Sequence, residues 1–229
     1  ALVDADDLLT PDSLQRRWDV ARRTGGECLI AGDFIERSLD GAEASWIDRF
    51  EANPELAEPI GMIQAKRGSG PFARIPINSA SALVLWGVVR TQSVFFTKAA
   101  FEAVGGFDER LRVGEDFHLW MRLARDRDVC FVPGSVAVYR RREGSLTLGD
   151  RHPAERGREA TLLLLRDPAF HQLRPGLRGR LLRMDRGLMW HYRRSGERSK
   201  ALSAALRVLR ATPTDPGSWK ALAGTLLGR

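Results

Sequence analysis

The sequence changes character near Asp150, and that change restricts the fold more than any other feature. Before it, apolar stretches of strand length alternate with helical patterns; after it, no strand signal remains. Such alternation predicts an α/β unit over residues 1–150, and its loss predicts an all-helical region over 151–229. Helical periodicity covers Ala154 to Leu165, Gly176 to Arg194, Arg198 to Ala211 and Ser218 to Leu227. Breaks fall at Pro168, Pro175, Gly196 and Pro213 to Gly217, where backbone chemistry interrupts a helix.

The first part opens on Ala1-Leu2-Val3-Asp4-Ala5-Asp6-Asp7, a short apolar run ending in three carboxylates. It reads as a strand that delivers acids at its C-terminal end, the way an open α/β sheet builds a site. Crowded carboxylates repel, so a divalent cation or a substrate hydroxyl is expected to offset them; a solvated acidic loop is the plain alternative. Because the chain opens inside this strand pattern without an initiator Met, it reads as a piece of a longer polypeptide.

Thr10 reads as an N-cap with Pro11 at the first helical position, and Leu14, Trp18 and Ala21 repeat at helical spacing up to Gly25-Gly26. Glu27 to Glu36 predicts a strand, or two with a turn. Ser45 to Phe50 predicts a short helix. Asn53 to Pro76, rich in Pro and Gly, predicts a long surface loop. Ser79 to Trp86 is open between helix and strand, whereas Val88 to Thr97, rich in β-formers, predicts a strand. Lys98 to Val104 and Glu115 to Arg125 predict helices, the second amphipathic, with Phe117, Trp120, Met121 and Ala124 on one face. Two strands are expected at Val129 to Val132 and Ser135 to Arg141, around Pro133-Gly134.

Composition sets outer bounds. A hydrophobic fraction of 43% supports a core, and a net charge of +7 favours anionic partners such as nucleotides, phosphosugars, membrane surfaces or nucleic acid. Cys28 and Cys130 lie far apart without a CxxC spacing, which argues against a zinc site or disulfide framework and for a reduced setting. The longest apolar run, Ser81 to Val89, is too short to span a bilayer, and no signal peptide is visible.

Two further constellations carry chemistry. Gly105-Gly106-Phe107-Asp108-Glu109 is followed by Glu115-Asp116 at a helix start and by Leu119-Trp120 and Arg122-Leu123-Ala124. Taken alone, the acidic pair does no more than complement the helix dipole. Tyr139-Arg140-Arg141-Arg142 then precedes Gly144-Ser145, and alone it reads as a basic strand edge.

In this order and spacing the three constellations resemble the family 2 glycosyltransferases of the GT-A fold, over about residues 1 to 147. The resemblance implies an α/β, GT-A-like mixed sheet whose nucleotide-binding βαβ half would precede Ala1, followed by an all-α tail. It implies inverting transfer of a sugar from a nucleotide-diphospho-sugar to a glycan, a lipid-linked sugar or a protein. Asp4 and Asp6 match the Asp-x-Asp motif that holds Mg²⁺ or Mn²⁺ against the donor pyrophosphate, with Asp6 the direct ligand and Asp7 behind it or near the sugar. Asp116 matches the catalytic base and Glu115 its neighbour. Arg140, Arg141 and Arg142 would sit beside the departing diphosphate, and Ser145 and Thr147 would close a loop over the donor. The family often has a His where Arg142 stands, which puts a third protein-derived metal ligand in doubt. Thr91, Gln92 and Ser93 are further acceptor-side candidates. Trp120 reads as core and His118 as a surface histidine, with an acceptor-facing role as its alternative.

The implied setting is bacterial envelope polysaccharide synthesis, in the cytoplasm or peripherally at the inner face of the membrane, with no nucleic-acid partner. Without the base-binding half, residues 1–229 alone are expected to be nearly inactive. The competing function is a non-catalytic module whose basic helical tail docks on an anionic membrane surface or a partner. The last helices also loosely resemble a tetratricopeptide-type hairpin, without that repeat's signature residues.

Overall fold

The computed structural model describes residues 1–66, 70–142 and 152–227. The chain divides into two compact units, Ala1–Ser145 and Leu146–Arg229. The first is α/β with a mixed sheet; the second is helical among its described residues.

The sheet of the first unit contains β1 (Leu8–Leu9), β2 (Leu29–Arg37), β3 (Glu43–Ser45), β4 (Ala73–Ile75) and β5 (Val129–Arg140). Its centre is the parallel pair β2 and β5, with Ile30 opposite Cys130 and Glu36 opposite Tyr139. β3 pairs antiparallel to β2. β4 and β1 pair antiparallel to β5, at Ala73–Ile75 against Val129–Phe131 and at Leu8–Leu9 against Ala137–Val138. The central strands read as near-continuous apolar runs because they are buried on both faces, as Ile30, Phe34, Phe131 and Val136 show. Cys28 and Cys130 are buried here as free thiols.

Several expectations change. The opening residues are not a strand: the Asp7 N–H donates to the Asp4 carbonyl at 3.0 Å, closing a turn, and β1 begins only at Leu8. The acids therefore lead into a strand instead of ending one. The two strands expected around Pro133-Gly134 are one strand with a bulge, whose extra residues shift the β2 register between Gly32 and Asp33. Gly134 takes a φ of 74°, and Arg16 donates to the carbonyls of Pro133 (2.7 Å) and Ser135 (2.6 Å) on either side of it.

Helix α1 (Ser13–Arg23) starts later than expected, because the Thr10 hydroxyl donates to the Ser135 carbonyl at 3.1 Å instead of capping. Its buried face is Ser13, Arg17, Val20 and Ala21, which leaves Leu14 and Trp18 exposed. Arg17 also explains why Val88 to Thr97 is not a strand. Its fully buried guanidinium donates to the carbonyls of Gln92 (3.4 Å) and Val94 (3.2 Å), groups a ladder would need. The segment forms a 3₁₀ turn at Thr91–Ser93, and only Phe95 bridges to Ile30.

The expected loop from Asn53 to Pro76 is mostly ordered structure. A 3₁₀ turn (Pro54–Leu56) capped by Asn53 leads into α2 (Ala57–Ala65), and β4 follows. Pro59 sits in the first turn of α2, where no helical N–H is lost. Leu56, Ile60 and Ile63 are buried. Ile47–Phe50 is a 3₁₀ turn, and α3 (Ile77–Leu85), α4 (Lys98–Ala103) and α5 (Glu115–Arg125) complete the unit.

The second unit contains α6 (Pro153–Arg166), a 3₁₀ segment (Pro168–Leu173), α7 (Arg174–Arg194), α8 (Arg198–Ala211) and α9 (Pro216–Leu226). Leu188, Met189, Tyr192, Ala201, Ala204 and Ala205 form a core between α7 and α8. Asp185, buried on α7, accepts from Arg158 of α6 at 3.1 Å and Arg207 of α8 at 2.7 Å, tying three helices. Among the described residues no helix is long and apolar enough to cross a membrane.

Candidate functional site

β1 fixes where the acids lie. Because Leu8 pairs with Val138, the turn before β1 falls beside the C-terminal end of β5. The backbone N–H of Arg140 donates to Asp7 Oδ1 at 3.1 Å, and the Arg140 side chain donates to the Asp6 carbonyl. Arg142 forms an ion pair with Asp6, Nη2 to Oδ2 at 2.8 Å. That pairing holds the Asp6 carboxyl below the usual carboxylate range.

Asp7 behaves differently. It is buried, and among the described residues its Oδ2 has no hydrogen-bond partner. Burial, opposed by the Arg140 N–H and reinforced by the charges of Asp4 and Asp6, pushes its carboxyl up to about 6. Asp7 therefore anchors the turn to β5 from inside.

The second set of acids arrives on α5. Gly105 and Gly106 adopt positive φ and close α4, and the Arg122 guanidinium reaches back to the carbonyls of Val104 (2.6 Å) and Gly106. Asp108 then turns the chain, accepting from the Arg110 backbone N–H at 3.1 Å and from its side chain at 2.9 Å and 2.7 Å. This clamp, with Gly114 at a φ of 81° as N-cap, sets the direction in which α5 begins. Glu115 and Asp116 occupy its first turn, where the positive end of the helix favours carboxylates. The Thr91 hydroxyl lies 3.4 Å from Asp116 Oδ2, so the 3₁₀ turn pinned by Arg17 meets the acid.

The two sets of acids meet electrostatically. Partial burial raises the Asp4 carboxyl, and the negative charges of Asp6 and Asp116 raise it further. Burial likewise raises Glu115, with Asp116 and Asp4 adding to it. Asp4 thus lies within electrostatic reach of Glu115 and Asp116, although more than a hundred residues separate them in sequence.

Not every expected residue joins these acids. Arg141 turns away: it pairs with the buried Glu36, which Arg49 also contacts. Strand-type alternation after Tyr139 sends Arg140 and Arg142 to one side and Arg141 to the other. His118 is not a surface residue. It is buried on α5, with Nδ1 3.9 Å from Asp108 Oδ2. Trp120 is core. Gln92 and Ser93 are buried in the turn beside Thr91. Ser145 and Thr147 lie outside the described residues. Arg122 and Arg17 were missed as positioning residues, because each acts on backbone carbonyls that sequence spacing does not reveal.

Among the described residues no three His, Cys, Asp or Glu side chains converge to hold a metal ion by themselves. Asp4 and Asp6 could supply two oxygen donors, with an anionic ligand and water completing a shell. Burial raises the Asp4 carboxyl first, and the negative charges of Asp6 and Asp116, which a cation would offset, raise it further. No protein-family model and no curated protein matches the chain.

Proposed function

We propose that this chain belongs to a nucleotide-sugar-dependent, inverting glycosyltransferase with a GT-A-type catalytic unit. The observation that carries the reading is that the acidic turn lies near enough to the start of α5 for the charge of Asp116 to add to burial and Asp6 in raising the Asp4 carboxyl. A solvated loop and a helix cap would have no reason to meet.

The chemistry follows from the placement. The acceptor hydroxyl oxygen attacks the anomeric carbon while the bond from that carbon to the diphosphate oxygen breaks. Asp116 takes the hydroxyl proton, and Thr91 orients its carboxylate. Glu115, raised by burial and further by Asp116 and Asp4, adds when ionised to the negative field around the cationic sugar ring. Arg140 and Arg142 bind the departing nucleoside diphosphate, whose oxygens match the guanidinium fork. Arg141 has no part in this, because Glu36 holds it elsewhere. Asp4 and Asp6 would hold Mg²⁺ or Mn²⁺, which when bound spreads the charge that develops on the leaving diphosphate. The acceptor is a hydroxyl of a glycan, a lipid-linked sugar or a protein.

The test is Asp116→Asn in the full-length protein, assayed with a panel of nucleotide sugars and with donor binding measured separately. Transfer should fall by about 10² to 10⁴ while donor affinity stays within about twofold. Unchanged turnover removes Asp116 as the base, and no turnover by the wild type with any donor removes the reading.

A further inference from the structure

The second unit holds a cavity of about 420 Å³ bounded by α7, α8 and α9, within the range of small-ligand sites. Its walls include Trp190, Arg193, Arg194, Arg198, Ala201 and Thr225. The two ends of this wall differ in chemistry. Ala201 and Thr225 are buried, and because the Thr225 hydroxyl donates to the Ala221 carbonyl at 2.7 Å they give a largely apolar floor, while Trp190 keeps 56% of its surface exposed. Arg193 lies over the Trp190 ring at 4.6 Å, which fixes the indole as one wall.

Arg194 and Arg198 are exposed at the other end, and among the described residues neither side chain has a hydrogen-bond or ion-pair partner. Arg194 suits its place, because the C-terminal turn of α7 favours a cation. Arg198 does not, because it opens α8, where the helix end is positive and the first turn carries no acid. Glu197, between the two arginines, offers no relief: it accepts from the Ser195 hydroxyl at 2.9 Å and from Lys200. Arg194 and Arg198 thus line one cavity, and among the described residues no carboxylate pairs with either side chain.

We propose that this cavity binds a phosphate ester carried on an apolar chain, with the phosphate on Arg194 and Arg198 and the chain against Trp190 and Ala201. Two guanidinium forks suit a phosphate, which has oxygens enough for both; a carboxylate satisfies one fork. The apolar floor excludes inorganic phosphate as the full ligand, because it would leave that surface unfilled. The site is independent of the transferase reading and stands or falls apart from it. The ester's source is either a soluble molecule or the headgroup of a membrane lipid.

The experiment uses the full chain and three probes: octyl phosphate, inorganic phosphate, and vesicles of phosphatidic acid compared with phosphatidylcholine. Octyl phosphate should bind at least about tenfold tighter than inorganic phosphate by calorimetry, and R194A/R198A should weaken it about tenfold or more. Circular dichroism establishes that the variant is folded, and R194Q/R198Q, which retains the side-chain bulk, should show the same loss. Arginine-dependent binding of octyl phosphate supports a soluble ester; arginine-dependent sedimentation with phosphatidic acid vesicles alone supports a lipid source. The proposal is overturned if neither probe binds, if the variants bind as well as the parent chain, or if inorganic phosphate binds as tightly as octyl phosphate.

Discussion

Arg142 Nη2 lies 2.8 Å from Asp6 Oδ2, so the acid expected to meet a metal ion already has a cationic partner from the end of β5. The pair is half-exposed and can part when a stronger anion, such as a diphosphate, reaches Arg142. Replacing Arg142 by Ala removes the ion-pair partner of Asp6 and leaves it only the weaker influence of the Arg140 charge. Calorimetry on the full-length protein should then show Mn²⁺ binding several-fold tighter and nucleoside diphosphate binding about tenfold weaker. If both affinities match the wild type, Arg142 has no part in donor binding.

Arg122 holds the carbonyls of Val104 and Gly106, and no other described side chain bonds to them. Arg122→Ala should destabilise the first unit by about 2 to 3 kcal/mol, because half-buried carbonyls lose charge-assisted donors. Arg122→Lys, with one ammonium in place of a fork, should recover less than half of that. Urea unfolding monitored in the first unit decides it, and a loss under about 0.5 kcal/mol would mean that water replaces the clamp.

Arg17 presents a similar case deeper in the core. Burial lowers its guanidinium to about 10, and Arg16 adds to the effect, yet it stays charged and bonded to Ser13, Gln92 and Val94. Arg17→Met should cost about 3 kcal/mol, since two buried carbonyls lose their donor. It should also disturb Thr91, and so the setting of Asp116. Hydrogen exchange is the direct reading: faster exchange confined to α1 and residues 90–95 is expected, and uniform protection would refute the link.

Asp108 supplies a pH dependence. The Arg110 side-chain bonds hold its carboxyl well below the usual carboxylate range, and the backbone N–H of Arg110 and the charges of Arg110 and His118 contribute. A carboxyl depressed by folding adds stability that is present above the unfolded value and lost as pH falls through the folded one. Asp108→Asn should therefore lower stability at pH 7 by on the order of 1 kcal/mol or less, because Arg110 is largely exposed. Thermal melts from pH 7 downward should show the gap between variant and parent narrowing once the pH drops below about 4. A gap that is constant with pH would assign the effect to lost hydrogen-bond geometry instead of charge.

Much of the helical structure was legible in the sequence because helices are stabilised locally. The apolar face of Glu115–Arg125, the interval Arg198–Ala211 and the proline and glycine breaks of the second unit all express interactions within one or two turns. The acids of the opening turn and of α5 were visible as residues for the same reason. Strands were harder to read, because a strand is defined by its partners. Val88 to Thr97 has β-forming composition, but Arg17, 75 and 77 positions upstream, takes the carbonyls of Gln92 and Val94, and the segment turns instead. Asn53 to Pro76 looked like a loop until Leu56, Ile60 and Ile63 found a core to pack against.

The sequence alone determined an α/β unit followed by helices, because periodicity and capping act over a few residues. Only the tertiary structure decided that Asp116 lies within electrostatic reach of Asp4, that Arg142 and not Arg141 pairs with the acidic turn, and that His118 is inside. Those outcomes depend on where β1 docks on β5 and where α5 begins, and contacts between distant segments set both.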